Sequence, residues 1–375
     1  MLPSSSFDIV IIGLTITSSW GNGHATTYRG LVRELEARGH SVLFLERDVP
    51  WYAPHRDPPE VFEGSVQLYG SVRELRSRFG AVVKNARLVM VGSFVPDGVE
   101  IGEWVQSNAT GICAFYDIDT PVTLGKLARK EFDYITPEQV SGYDLYLSFA
   151  GGPILDLLQR VYGAVMSRAL YCSVDPLKYY PQDTEKSYDL GYMGTYSVDR
   201  QQVLDKLMLK SAEKWPQGRF IVAGPQYPDD IEWPPNVCRK EHIPPGEHAA
   251  FYCSQRFTLN VTRADMVASG YAPSVRLFEA GACGVAVISD YWDGLNRFFE
   301  IGSEIIVSRS WEETLRVLSD MAEDEIAAMG QRARRRVLVE HTAAHRAEEL
   351  DHYVSEAIKV KARKVRNRIY VSRHV

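Results

Sequence analysis

The chain has 375 residues, an apolar share of 45% and a formal net charge of −6 at pH 7. That length suits two domains with a sizeable core, and the acidic balance speaks against a general nucleic-acid binder. Cys113, Cys172, Cys238, Cys253 and Cys283 are scattered without a CxxC pair, which points away from a disulfide framework or a zinc site and towards a reducing compartment.

Residues 7–13 read as a buried strand, and the apolar run inside them is too short for a signal peptide. No apolar run nears the roughly 20 residues of a membrane helix, so a soluble cytoplasmic protein is expected. A loop carrying Gly13, Gly21 and Gly23 leads to His24. Residues 25–38 then have helical periodicity, which Gly39 ends. A strand over 41–45 closes a βαβ unit at Glu46. Its glycines lack the GxGxxG spacing, so the dinucleotide signal is weak and tight turns explain them equally well.

The stretch from there to about residue 87 reads as peripheral. Strands follow over 88–91 and 112–116, the second ending in Asp117-Ile118-Asp119-Thr120-Pro121. Two acids at a strand's carboxyl end suit proton transfer or the holding of sugar hydroxyls. Asp, Thr and Pro equally suit a turn and a helix N-cap. Another strand, 144–149, precedes Gly151-Gly152-Pro153 and a helix.

Around Val174 the pattern restarts after a Pro- and Tyr-rich linker over 173–181. A strand over 189–193 leads through Gly194-Thr195-Tyr196-Ser197 to a helix over 199–214, and a strand over 220–223 ends in Gly224-Pro225. Pro-rich segments flank Glu241-His242-Ile243. Residues 257–261 form an apolar strand. A Gly-containing loop follows, and then Pro273 and Ser274 open a helix that Gly284 caps. Strands over 285–289 and 304–307 and two long helices, 323–340 and 342–364, complete the chain. Thr262, Arg263, Ser274 and Arg276 gather where such sheets bind ligands, beyond strand carboxyl ends and against helix N-termini.

Pro273-Ser274-Val275-Arg276-Leu277-Phe278-Glu279-Ala280 followed by Ala282-Cys283-Gly284-Val285 resembles the EAxACGxPVI segment of GT-B glycosyltransferases. Tyr192-Met193-Gly194-Thr195-Tyr196 with Arg200, Ala223-Gly224-Pro225-Gln226-Tyr227-Pro228, Asn260-Val261-Thr262-Arg263-Ala264-Asp265-Met266 and Ile288-Ser289-Asp290-Tyr291-Trp292 resemble the CgeB-like (spore-crust protein type) bacterial glycosyltransferases. The first half resembles them more thinly, through Gly23-His24, Arg29-Gly30, Gly39-His40 and the Asp117–Asp119 turn.

The resemblance implies an α/β chain of two Rossmann-like domains facing across a cleft, the GT-B type. Residues 1–170 would form the acceptor-side domain and 171–345 the nucleotide-sugar donor domain. Residues 346–375 would form a helix packing back toward the first domain, with a basic tail. It also implies no cofactor and no metal, the leaving diphosphate being met by arginine and main-chain N–H groups.

On that reading Gly194, Thr195, Arg263, Ser274 and Arg276 hold the donor phosphates. Glu279 takes the ribose hydroxyls, or else pairs with Arg276 on its own helix, and the backbone at His242 and Ile243 reads the base. Asn22 and Gly23 fall on the acceptor side. His24, Asp117 and Asp119 are the candidate general bases. Where retaining members carry a second glutamate this chain has Tyr271, so the stereochemistry stays open.

The basic residues from Lys359 to Arg373 read as a solvated helix end or as a weak membrane-surface contact. The partners expected are a nucleotide sugar and an acceptor, without nucleic acid. A nucleotide-sugar epimerase, a non-catalytic nucleotide- or carbohydrate-binding module, and a dehydrogenase holding a ribose on Glu46 remain the rivals.

Overall fold

The structure is a computed structural model that describes residues 7–20, 23–59 and 65–372, with side chains described as far as residue 364. The chain divides into two compact units. Of the described residues, one takes 7–20, His24–Tyr171 and Ala344–Ser372; the other takes Gly23 and Cys172–Ala343.

In the first unit short runs of Val, Ile, Leu and Phe form β1 (Ile9–Gly13), β2 (Val42–Arg47), β3 (Ser65–Tyr69), β4 (Leu88–Gly92), β5 (Ile112–Asp117), β6 (Leu145–Ser148) and β7 (Ser167–Ala169). They pair in the order β3-β2-β1-β4-β5-β6-β7, every ladder parallel. Helices cover such a sheet on both faces. Accordingly β1, β4 and β5 are buried at every position, without polar alternation. Each fully buried Val, Ile or Leu contributes about 1.5–3 kcal/mol.

Strand β3 and the helix Val72–Asn85 lie inside the stretch that reads as peripheral in the sequence. The strand is the sheet's edge and only its last residue is buried, which is why SVQLY lacks an apolar run. The C-terminal helix, Ala343–Ser372, joins this unit through side chains. Asp351 takes Arg38 Nε at 2.9 Å and His40 Nε2 at 2.8 Å. Glu356 takes Arg168 at 3.1 Å, and Lys361 reaches Asp144 at 2.8 Å.

The second unit repeats the plan with β8 (Tyr188–Met193), β9 (Phe220–Ala223), β10 (Val237–Lys240), β11 (Gln255–Asn260), β12 (Ala286–Ser289) and β13 (Ile306–Val307). Their order is β10-β9-β8-β11-β12-β13, again all parallel. Leu190, Phe220, Val222, Phe257, Leu259 and Ile288 form its core with Leu204, Met208 and Met329. A short helix, Ala264–Ser269, stands where the sequence suggests only a loop.

In both sheets the chain reverses its direction of winding beside the first strand, between β1 and β4 and between β8 and β11. Doubly wound sheets have a crevice at the carboxyl ends of the strands at such a reversal, and their ligands bind in it. Among the described residues no helix is long and apolar enough to cross a membrane.

Candidate functional site

The second-unit crevice is built by glycine and by one buried arginine. Gly194 follows β8, and a Cβ there would stand 2.5 Å from the Tyr192 hydroxyl and 3.0 Å from Arg276 Nη2. Gly224 follows β9 at φ +142°, where a Cβ would come within 2.0 Å of the Gly194 carbonyl oxygen. Only glycine fits both places.

The two loops are welded together. Gly194 N–H donates to Ala223 O at 2.8 Å, Tyr196 N–H to Pro225 O at 3.1 Å, and the Tyr227 hydroxyl to Gly194 O at 3.2 Å. The Gly194 N–H therefore does not face a phosphate, contrary to the expectation from sequence. The Thr195 N–H has no acceptor among the described residues. The Thr195 carbonyl is held by Arg200, whose Nε also donates to Ser197 Oγ at 2.8 Å.

Arg276 is 7% exposed and spans the crevice floor. Its Nε donates to Met193 O at 2.6 Å and its Nη1 to Asn260 Oδ1 at 2.9 Å, while the guanidinium lies 4.8 Å from the Tyr192 ring centroid. The Arg276–Glu279 pair weighed from sequence is thus replaced by bonds to strand ends. Ser274 sits at the N-cap of the helix Val275–Ala282, and its hydroxyl accepts from Arg276 at 3.3 Å.

Asn260 in turn donates to Thr262 Oγ1 at 3.2 Å and Ser289 Oγ at 2.9 Å. Asp290 accepts from Thr262 Oγ1 at 2.8 Å and Thr262 N–H at 3.1 Å. Burial raises the Asp290 pKa against these donors. Asn260 and Asp290 are site residues that sequence reasoning left unassigned, although each ends an apolar strand.

Arg263 caps the helix Ala264–Ser269 at the carboxyl end of β11. Its Nε is buried and has no hydrogen-bond partner. The nearby Asp199 carboxylate is spent on Ala264 N–H at 2.8 Å. Burial pushes Asp199 up, but hydrogen bonds from Ser197 and Ala264 and the charges of Arg263 and Arg200 outweigh it and hold the group below its ordinary value. A partly buried cation with an unused donor at the switch point is a ready anion ligand.

Farther along the sheet His242 is exposed, whereas Ile243 is buried and its carbonyl faces His248 Nε2 at 3.0 Å. Glu279, 4% exposed, accepts from the Tyr252 hydroxyl at 2.8 Å. Tyr271 stands at φ +53° with its N–H on Asp293 O, so no carboxylate fills the second-glutamate position.

In the first unit His24 opens the helix His24–Ala37 and its Nε2 lies 3.7 Å from Asp119 Oδ2. Phe94, held at φ +61°, stands edge-on to the His24 ring at 5.8 Å. A left-handed phenylalanine is a strained placement that marks a constrained site.

Asp117 is a different kind of group from Asp119. It is fully buried and accepts from Tyr146 at 2.6 Å, Thr123 at 2.7 Å and Asp119 N–H at 3.3 Å. Burial pushes its pKa up to about 6 against those donors. Enclosed in this way, Asp117 does not face a substrate, which corrects its place among the candidate bases. Asp119 makes no side-chain cap bond to its helix, so the N-cap reading does not describe its carboxylate.

Glu46 is wholly buried and takes the hydroxyls of Thr15 and Thr17 and the N–H groups of Ile16 and Thr17, all within 3.1 Å. It has no freedom to hold a ribose, which removes the ground for the dehydrogenase reading. Asn22 lies outside the described residues, as do the tail side chains beyond Lys364; Gly23 is exposed. Among the described residues no cluster of three or more His, Cys, Asp or Glu could hold a metal ion.

Residues 200–352 match the family described as glycosyl transferase-like. No curated protein sequence matches the chain. Sucrose-phosphate synthase from Thermosynechococcus elongatus is 13% identical at a TM-score of 0.69, over 94% of this chain and 99% of that one. Anabaena HepE in complex with UDP and glucose is 11% identical at 0.68, over 93% and 99%. An alpha-glucosyltransferase in complex with UDP and a 13-mer DNA is 13% identical at 0.69, over 94% and 100%. At these identities the likeness establishes the fold, which is GT-B.

Proposed function

We propose that the chain, a glycosyltransferase by the family its second unit matches and of GT-B type by fold, moves a sugar from a nucleotide-sugar donor to an acceptor hydroxyl without a bound metal. The observation that carries this reading is the unpartnered, buried Nε of Arg263 at the β8–β11 switch point. There Arg263 and the Thr195 N–H would meet the diphosphate, and Arg276, locked beneath them, would add fixed positive charge. Glu279 would take the ribose, and the segment at His242 and Ile243 the base. Solved relatives carry UDP or UDP-glucose, which supports a nucleoside-diphosphate sugar. The motif likeness favours the CgeB-like subtype.

On the acceptor side His24 is the base we assign, positioned by Asp119 at 3.7 Å. In the transfer the acceptor oxygen bonds to the anomeric carbon as its proton passes to the His24 imidazole, on the side of the ring away from Asp119. The bond from that carbon to the phosphate oxygen breaks, and the nucleoside diphosphate leaves with the electron pair. A base on the attacking hydroxyl is what inversion requires. Retention at the anomeric carbon would therefore remove His24 from that role. One solved relative holds DNA; the net charge of −6 here favours an acceptor other than nucleic acid.

The test is a thermal-shift panel of UDP-, GDP-, dTDP- and ADP-sugars with and without EDTA. At least one should raise the melting temperature equally in both buffers. A panel without any shift rejects the donor site, and a shift abolished by EDTA rejects metal independence. Release of nucleoside diphosphate only when an acceptor extract is added would separate transfer from epimerisation.

A further inference from the structure

A line of polar side chains runs through the second unit, and two of its members, Tyr179 and His248, have no part in the roles above. Glu279 is held by Tyr252, whose hydroxyl donates to it at 2.8 Å. Tyr179, 3% exposed, also interacts with Glu279, and its hydroxyl lies 2.9 Å from His248 Nδ1. His248 Nε2 lies 3.0 Å from the Ile243 carbonyl oxygen.

Proton counting orders the line. A carbonyl only accepts, so His248 Nε2 carries a hydrogen. In the neutral ring Nδ1 is then an acceptor facing the Tyr179 hydroxyl. That hydroxyl has one proton, which it gives either to His248 or to the Glu279 carboxylate. Burial, and then the charge and hydrogen bond of Glu279, hold the Tyr179 and Tyr252 hydroxyls far above their ordinary pKa, so both stay protonated donors.

We infer that Tyr179 and His248 are positioning residues that tie the ribose-binding carboxylate of Glu279 to the base-reading segment at Ile243, so that ribose and base are recognised together. The inference rests on the donor reading above. His248 fixes the segment by its main chain, and Tyr179 fixes the orientation of Glu279 through the shared proton. Loosening either joint lets Glu279 turn and the segment drift. A residue that merely filled space would weaken binding of all nucleotides alike and leave their ratios unchanged.

The test measures Kd by calorimetry for UDP, GDP and ADP and their 2′-deoxy counterparts, in the native chain and in Tyr179→Phe, His248→Ala and the double variant. The native chain should prefer its ribonucleotide over the deoxy form by about tenfold or more, one bond to a charged acceptor. Each single variant should shrink that preference at least about fivefold and blunt the discrimination among bases. The double variant should lose no more than the worse single one, because both act through one line. Tyr179→Phe conserves volume, so it decides the matter if His248→Ala does not fold. Unchanged ratios in a folded Tyr179→Phe overturn the inference and leave the donor site standing. If the native chain binds none of the six nucleotides, the donor reading falls and the inference with it.

Discussion

Asp117 sets up a measurable linkage. Burial lifts it from the ordinary carboxylate value of 3.8 to about 6. Between those values the folded chain keeps a proton that the unfolded chain has released. Stability is therefore greatest below about pH 4 for this group and is lost as the pH rises through 6. At 1.36 kcal/mol per pH decade the loss between pH 4 and pH 7.5 is about 2–3 kcal/mol. Asp117→Asn removes the titration while still offering one oxygen to Tyr146 or Thr123, at a penalty that does not depend on pH.

The gap in melting temperature between the native chain and this variant should therefore change in the variant's favour by roughly 5–10 °C from pH 4 to pH 7.5. Differential scanning fluorimetry across that range reads it. Taking the difference cancels titrations the two chains share. Asp119, Tyr134, Tyr146 and Tyr28 all face Asp117 and stay in place. Melting curves that run parallel across the range would refute the idea that Asp117 holds a proton in its pocket.

Arg263→Ala should weaken binding of UDP or another donor diphosphate by about 10- to 100-fold, the value of one or two charge-assisted bonds; isothermal calorimetry checks it, and an unchanged Kd removes Arg263 from the site. His24→Ala should lower kcat by about 10²- to 10⁴-fold while donor affinity holds, and a fall in donor affinity alone would contradict a base. Gly224→Ala forces a Cβ to within 2.0 Å of the Gly194 oxygen at φ +142°. It should cost at least about 2 kcal/mol and lower the melting temperature even without ligand.

Much of the fold is legible in the sequence because parallel strands buried on both faces leave continuous apolar runs that end in small or polar residues. The runs ending at Gly13, Asp117, Asn260 and Ser289 announce themselves in that way. Strand β3 does not, since an edge strand with exposed positions carries no such run. Residue type with position at strand ends and helix starts brings forward His24, Asp119, Arg263 and Arg276. What those side chains touch is less readable. Arg276 bonds to a carbonyl 83 positions away, and nothing local tells that its partner is Met193 O rather than Glu279 on its own helix. Asp117 and Asp119 look equivalent in sequence, yet one is enclosed by Tyr146 and Thr123 and the other faces His24. The use of the Gly194 N–H by Ala223 likewise depends on two loops meeting.

The chain's path has a consequence for its synthesis. The second unit is assembled almost wholly from one stretch, Cys172–Ala343, whereas the first takes Asp351, Glu356 and Lys361 from after that stretch to complete its ion pairs. On the ribosome the portion made earliest is thus finished last, and the later portion can settle while the earlier one still awaits its closing helix. A chain stopped short of that helix would release a first sheet lacking its clamp, an exposed intermediate of the kind that quality-control machinery removes.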